Sequence, residues 1–519
     1  MFKILSTSFF IFLGITIFAQ NTYFVSLNET FRTDKKLAIS EDAFQKKIAY
    51  QIPIDALDYD IPEDIKIKIE AIQPNIKWSR WFFGALVNLD ETQFNLLIKL
   101  PFVKSIEKIH EQNIKKTIQN KLDIQFEKKE YGSSWNQLNI HNINNLHKKN
   151  VKGSGIKIAV FDAGFKNADQ LHCFKDLKNQ NRMIPVYNYN NSNSIYEGDF
   201  HGTAVLGCMA SFIKDTIIGA APDATYYLFT TENPSFESPI EEYHWALAAE
   251  KADSIGVHLI NSSLGYTEFD DSQFNYNPSS LDGKTSISTK AAQIASEKGI
   301  IVVNSAGNQG NRSWKYLSAP ADAKDVVAVG AIDINENIAI FSSRGFTANP
   351  TLKPNVCAVG VRTLCLWDSS GYYFANGTSF SAPITTGLLA CMWQSNPTLK
   401  PYELKDWLYR ISTNFNHPNF DIGFGIPKIN TDTTTSTSFN IYPNPTKDYL
   451  IVETNNTNQD TIVEISLYSF LHANPSKIYY SQSKSQYLWI DLRDYSPGLY
   501  FLNIQVGNKT YWKKIIKSN

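Results

Sequence analysis

Residues 376–383 read N-G-T-S-F-S-A-P and run straight into an apolar stretch at 384–393. Small side chains let a backbone turn approach a bound molecule closely, and Pro383 suits the first turn of a helix, where its missing N–H leaves no bond unmade. Ser379 is therefore expected at a helix N-terminus. Free N–H groups and the positive end of the helix dipole there favour negative charge on a nearby oxygen. A serine beside a glycine also caps helices that do no chemistry, so the rest of the chain must decide.

Between about residues 131 and 428, short apolar runs at 156–161, 224–230, 257–260, 299–304 and 326–332 alternate with helical stretches. Runs that are apolar on both faces are what a parallel sheet covered by helices requires. The expected fold class is α/β, with helices on both faces of the sheet. In such sheets ligands gather beyond the carboxyl ends of the strands, so the residue after each run matters most. Asp162 ends the first run in V-F-D-A-G, His201 stands in D-F-H-G-T-A-V ahead of an apolar helical stretch, and Asn308 follows the fourth run in N-S-A-G-N-Q-G. Singly, these read as a turn aspartate, a packing histidine and a turn asparagine. With Ser379 they supply every part of an acyl transfer. Ser379 is expected to attack a carbonyl, His201 to carry the proton, and Asp162 to hold the imidazole. The Asn308 side-chain N–H and the Ser379 backbone N–H are expected to bind the oxyanion.

With these residues the chain resembles the subtilisin-like serine proteases, peptidase family S8. Its order Asp, His, Ser differs from the chymotrypsin and α/β-hydrolase orders. The matching motifs are V-F-D-A-G, H-G-T-A-V, the A-G-N ending at Asn308, and G-T-S-F-S-A-P around Ser379. A lipase-type G-x-S-x-G elbow is excluded by Ser381, which stands where glycine is needed. S-S-L-G at 262–265 resembles the family strand that pairs with an extended substrate, and F-S-S-R-G at 341–345 and S-A-P-A at 318–321 match as well. The resemblance implies that Ser262, Ser263, Leu264 and Gly265 bind substrate, with Gly265 and Gly307 as an open wall for the side chain before the scissile bond. Backbone pairing of this kind implies protein or peptide substrates. Ala163 departs from the Thr or Ser that many relatives carry, which leaves one hydrogen bond to the aspartate unaccounted for. No cofactor is implied for the chemistry. Structural calcium is common in the family, but no D-x-D-x-D-G loop is present and calcium is left unassigned. The chain has no H-E-x-x-H and no C-x-x-C, so no metal site is expected. Two other functions stay open: a catalytically silent surface binding or adhesion protein on the same fold, and a narrow processing protease for one partner. With an ordinary His201 pKa, activity is expected to rise through roughly pH 6 to 7.

The 519 residues suit about two to four domains, and a net charge of -1 gives no sign of nucleic-acid binding. Residues 1–20 carry Lys3, an apolar core at 9–18 and Ala19, and read as a signal peptide cut near Ala19. That core is too short to span a membrane, and no later segment is long and apolar enough. Five cysteines are few for an exported chain. Cys208 and Cys391 are expected to be buried, while Cys357 and Cys365 are candidates to close a short loop. Residues 21–130 are expected to form a propeptide and connection, 131–430 the peptidase domain, 431–438 a polar linker and 439–519 a β-rich tail. In the first of these, 81–89 reads as a strand, 90–100 as a helix and 101–109 as a second strand. The unit at 69–109 resembles the family's propeptide, which implies the chain's own propeptide as an inhibitory partner, with cleavage between His110 and Tyr131. The tail shows strands at 450–454, 463–468, 488–492 and 499–506. It resembles the C-terminal sorting domain of the type IX secretion system of Bacteroidota, through N-I-Y-P-N-P at 440–445, S-P-G-L-Y-F at 496–501 and the closing Lys513, Lys514 and Lys517. That resemblance implies the type IX secretion machinery as a partner and export to the surface or medium of a Gram-negative bacterium. A generic β-sandwich is the other reading of the tail.

Overall fold

The computed structural model describes residues 21–33, 35–109, 131–189, 194–345, 347–348, 351–368, 371–429, 439–454, 462–469, 477–482, 487–506 and 509–518. The expected signal peptide, the expected cut within 110–130 and the 431–438 linker lie outside the described residues.

The N-terminal unit runs β1 (Asn21–Leu27), α1 (Glu41–Tyr50), α2 (Glu63–Glu70), β2 (Ile76–Ser79), β3 (Gly84–Leu89), α3 (Glu91–Leu97) and β4 (Val103–Ile109). Its sheet has the order β2-β3-β1-β4, with β1 antiparallel to both neighbours. Alternation divides the strands. Val25, Leu27, Ala85, Val87 and Leu89 bury against Ile65 and Ile69 of α2 and Leu97 of α3. Phe24, Leu86 and Ile109 face the other way and pack on Ile240 and Tyr243 of the following unit. A reciprocal capping box starts α3, with Gln93 N–H donating to Asp90 Oδ1 at 2.8 Å and Asp90 N–H to Gln93 Oε1 at 3.1 Å. The expected 81–89 strand begins later, at Gly84. Residues 80–83 form a turn with Phe83 at φ 41, and a Cβ on Gly84 would stand 2.4 Å from the Val25 carbonyl oxygen.

The central unit begins with α4 (Trp135–Asn139), α5 (Ile143–Lys148), β5 (Lys157–Asp162), α6 (Lys175–Asn179), β6 (Met183–Asn188) and α7 (His201–Ala210). The short pair β7 (Phe212–Ile213) and β8 (Ile217–Ile218) leads to β9 (Thr225–Thr230), α8 (Ile240–Ile255), β10 (Leu259–Ser262), α9 (Ile287–Glu297), β11 (Ile301–Ser305), β12 (Val327–Ile332) and β13 (Val356–Val359). A hairpin of β14 (Thr363–Asp368) and β15 (Gly371–Ala375) precedes α10 (Thr378–Ser395) and α11 (Pro401–Arg410). The sheet order is β13-β12-β11-β10-β5-β9-β6, and every neighbouring pair is parallel.

Helices cover both faces of this sheet. Ile158 and Val160 of β5 join Val205, Leu206, Leu388 and Leu389 in one core, while Ala159 and Phe161 join Trp245, Ala248, Ala249, Ala291 and Ala292 in the other. Each fully buried large apolar side chain contributes about 1.5–3 kcal/mol. The same alternation puts Asp162, next in line, on the side of α7 and α10. The expected run at 257–260 is displaced to Leu259–Ser262, because Val257 and His258 still belong to the loop that leaves α8 through the left-handed Gly256 at φ 81. Pro383 lies inside α10, in its second turn rather than its first.

All five cysteines are buried and free. Cys357 and Cys365 therefore do not close a loop. Cys357 on β13 points its thiol at the Ile422 carbonyl, whereas Cys365 on β14 packs with Ala204, Cys208 and Phe380. Burial pushes both thiols up to about 12, so neither is a thiolate at neutral pH.

The tail contains β16 (Phe439–Tyr442), β17 (Tyr449–Thr454), β18 (Ile462–Ser469), β19 (Lys477–Gln482), β20 (Tyr487–Asp491), β21 (Gly498–Val506) and β22 (Lys509–Lys517). They form the antiparallel sheets β16-β17-β20 and β19-β18-β21-β22 over a core of Leu450, Val452, Ile465, Leu467, Ile490, Leu502, Ile504 and Ile515. Asn444 of the N-I-Y-P-N-P motif holds the last strand at two points. Its Nδ2 donates to the Lys514 carbonyl at 2.5 Å, and its Oδ1 accepts from Ile516 N–H at 2.8 Å. Among the described residues no helix is long and apolar enough to cross a membrane.

Candidate active site

Asp162 is fully buried at the carboxyl end of β5. Its Oδ1 accepts from the Ala163 N–H at 2.8 Å and from His201 Nδ1 at 2.8 Å. His201 is the first residue of α7, where Asp199 Oδ1 takes its backbone N–H at 2.7 Å. The glycine that follows has a steric reason. A Cβ on Gly202 would lie 2.3 Å from the Gly164 carbonyl oxygen and 2.8 Å from Asp162 Cβ, so only glycine lets α7 approach β5 this closely. Asp162 Oδ2 is buried without a hydrogen-bond partner among the described residues, in keeping with the missing hydroxyl at Ala163.

The charges on the pair are coupled. Burial disfavours a charged imidazole at His201, but the Asp162 carboxylate, its hydrogen bond, and lesser contributions from Asp199 and Glu232 outweigh it and push the pKa up to about 9. Burial pushes the Asp162 carboxyl upward in turn, against the pull of His201. The Asp162 carboxylate thus favours the protonated form of the His201 imidazole. The imidazole is 31% exposed.

Ser379 is the second residue of α10. Its Oγ donates to the Ser263 carbonyl at 3.3 Å, and the His201 ring stands 6.0 Å, centroid to centroid, from neighbouring Phe380. Pro383 decides what happens to the Ser379 carbonyl. Proline has no N–H to return to the residue four positions back, so that carbonyl is freed within the helix. Ser263 Oγ fills the gap, donating to Ser379 O at 2.9 Å.

Asn308 follows β11. Its Oδ1 accepts from Thr378 N–H at 2.9 Å and from Thr378 Oγ1 at 3.1 Å, and Thr378 Oγ1 accepts from Gly307 N–H at 3.1 Å. With the amide oxygen held by α10, Nδ2 is left to donate outward from an exposed side chain. The predicted substrate-binding residues divide. Ser262 and Ser263 turn their hydroxyls inward, Ser262 accepting from Trp245 Nε1 at 3.0 Å. The Leu264 carbonyl accepts from Asn304 Nδ2 at 3.0 Å. Gly265 and Gly307 both border Ser318: an added Cβ would come within 2.6 Å of Ser318 Cβ at Gly265 and within 2.8 Å of Ser318 Oγ at Gly307. Asp199 and Thr378 were missed in the sequence, where each looks like an ordinary helix-start residue. Among the described residues no group of three or more His, Cys, Asp or Glu side chains is arranged to hold a metal ion.

A model of the subtilase family matches residues 153–425, more than half of the chain. The chain belongs to the subtilase family. A model of the Bacteroidota peptidase S8 propeptide domain matches residues 22–125 of this subtilase, and one of the secretion system C-terminal sorting domain matches 440–518. It is 28% identical over 274 residues to M-protease of Shouchella clausii (strain KSM-K16), covering 53% of this chain and 63% of that protein. It is also 28% identical over 274 residues to Subtilisin Savinase of Lederbergia lenta, covering 53% and 89% of the two chains. A third relative is Subtilisin-like protease SBT6.1 of Arabidopsis thaliana, 28% identical over 290 residues, or 53% of this subtilase and 25% of the plant protein. The subtilase thus spans less than two thirds of M-protease.

Proposed function

We propose that this protein is an exported serine endopeptidase, made as an inhibited precursor, that cleaves proteins or peptides through an acyl-enzyme. In this reading Ser379 Oγ leaves its long bond to the Ser263 carbonyl, passes its proton to His201 and attacks the scissile carbonyl. Asp162 keeps the imidazole oriented and stabilises its charged form. Asn308 Nδ2 and the Ser379 N–H at the start of α10 receive the oxyanion. His201 then returns the proton to the leaving amine, and water repeats the sequence to release the acyl group.

The observation that carries this reading is the 2.8 Å bond between His201 and the buried Asp162, made at the carboxyl end of β5 beside the helix start that bears Ser379. The N-terminal unit would act as the inhibitor and the tail as the signal for type IX export. Mass and N-terminal sequence of the purified chain and of Ser379→Ala, with casein hydrolysis by both, test the enzyme. Hydrolysis by the parent alone is expected, and equal hydrolysis by both sinks the mechanism. A stop codon ahead of the tail is expected to trap the protein in the periplasm, and unchanged release would remove the sorting role.

A further inference from the structure

Residues 28–62, between β1 and α2, add no strand to the N-terminal sheet and reach instead for the amino ends of the central strands. Ser40 N–H donates to the Ser254 carbonyl at 2.8 Å, and α1 then lies across the approaches to β5, β10 and β11. At the start of β5, Lys157 Nζ meets Asp42 Oδ2 at 2.7 Å. Ahead of β10, Lys46 Nζ donates to the Val257 carbonyl at 2.5 Å. Ahead of β11, Ile52 occupies the space left by Gly299, where an added Cβ would stand 1.9 Å from Ile52 Cδ1. Tyr50 rests on Trp393 with ring centroids 5.4 Å apart, and its hydroxyl donates to the Pro397 carbonyl at 3.2 Å. Asp162, Ser263 and Asn308 lie at or just beyond the opposite ends of these three strands, roughly 15–20 Å away at about 3.3 Å per residue.

Buried charges from both partners close this contact. Lys47 Nζ is 2.9 Å from Asp253 Oδ1 and 3.0 Å from Asp58 Oδ1, and all three side chains are fully buried. Arg80 meets Asp253 Oδ2 at 2.7 Å. Lys298 Nζ meets Asp58 Oδ2 at 2.7 Å and Asp55 Oδ1 at 2.5 Å. Glu250 accepts from the Arg80 N–H at 2.9 Å and from the Ser79 hydroxyl. Lys47, Asp55, Asp58 and Arg80 belong to the N-terminal unit, while Glu250, Asp253 and Lys298 belong to the central one. Deleting one member while the units stay docked would strand a buried charge.

We infer that the amino ends of β5, β10 and β11 form a binding surface for residues 28–62, a second hold independent of the cleft, so that the N-terminal unit stays bound after the chain is cut within 110–130. The hold itself follows from the contacts. Only its effect on activity rests on the proposed function.

The test uses the full chain with Ser379→Ala, to prevent self-digestion, and a site for a sequence-specific protease placed within 110–130. After cutting, the N-terminal fragment is expected to elute with the peptidase unit on size exclusion. Lys47→Ala should weaken retention roughly 100-fold or more. Ile52→Asp, which alters a half-buried side chain outside either core, should weaken it about 10-fold or more and guards against misfolding as the cause. Departure of the parent fragment on cutting, or equal retention by Ile52→Asp and parent, overturns the inference. Repeating the cut with Ser379 intact separates the two ideas. A retained fragment with full casein hydrolysis keeps the hold and removes the inhibitor.

Discussion

At the carboxyl ends of β5, β10 and β11, polar groups are held in place but keep capacity for a visitor. Asn308 is anchored through its oxygen with its nitrogen left over, and Ser379 rests on a 3.3 Å bond that is easily given up. At the amino ends of the same strands the charges are closed on one another, Lys47 between Asp58 and Asp253 and Lys298 between Asp55 and Asp58. Both ends bury ions. They differ in where the partner comes from. Asp162 has His201, which comes from the same unit. Asp253 has Lys47, which comes from the N-terminal unit.

The sharpest way to break this contrast is Ser379→Ala. It should lower casein hydrolysis by about 10^4-fold or more with the melting temperature nearly unchanged, and surviving hydrolysis would make the two ends equally inert. Next in size is Asn308→Ala, expected to lower kcat by about 10^2–10^3-fold, the weight such a donor carries in subtilisin-type sites. A raised KM with kcat intact would instead assign Asn308 to ground-state binding.

The pH profile comes third. Because His201 is held up to about 9 and must be neutral to accept a proton, kcat/KM should climb through the alkaline range rather than through pH 6 to 7. A plateau reached by pH 7 would show that Asp162 does not raise His201. Stability runs the other way. A histidine raised above its unfolded value of about 6.5 contributes stability that is complete below that pH and is lost as pH rises through about 9. Thermal melts of Ser379→Ala between pH 6 and 10 should therefore weaken where the parent's rate increases.

The smallest effect concerns the Ser379 carbonyl. Ser263→Ala should cost about 1 kcal/mol by leaving that oxygen unpaired, and adding Pro383→Ala should recover part of it by restoring a helical N–H. Additive losses in the double variant would show that the two residues do not share that acceptor.

Five strands of the central sheet, β5, β9, β10, β11 and β12, were legible because they are largely buried on both faces and so read as apolar runs. β13 was not, being only four residues long, nor was β6, an edge strand containing Pro185 with a register shift beside it. β16, β19 and β22 of the tail also escaped notice, because lysines and polar residues interrupt their pattern. The site residues stood out by following strands or opening helices, and the structure puts Asp162 against His201 and Asn308 against Thr378. The 28–62 segment was illegible for a physical reason. Lys46 and Lys47 look like a solvated helix face, yet both are buried, and beside Asp58 their partners, Val257 and Asp253, stand about two hundred positions away. No local pattern carries that information.

Pro383 and Ser263 act together as a fastening. A helix that lacks an N–H at Pro383 relies on a hydroxyl from the loop after β10, so the turn of α10 that carries Ser379 is tied to the end of the central sheet by a side chain and not by the helix alone.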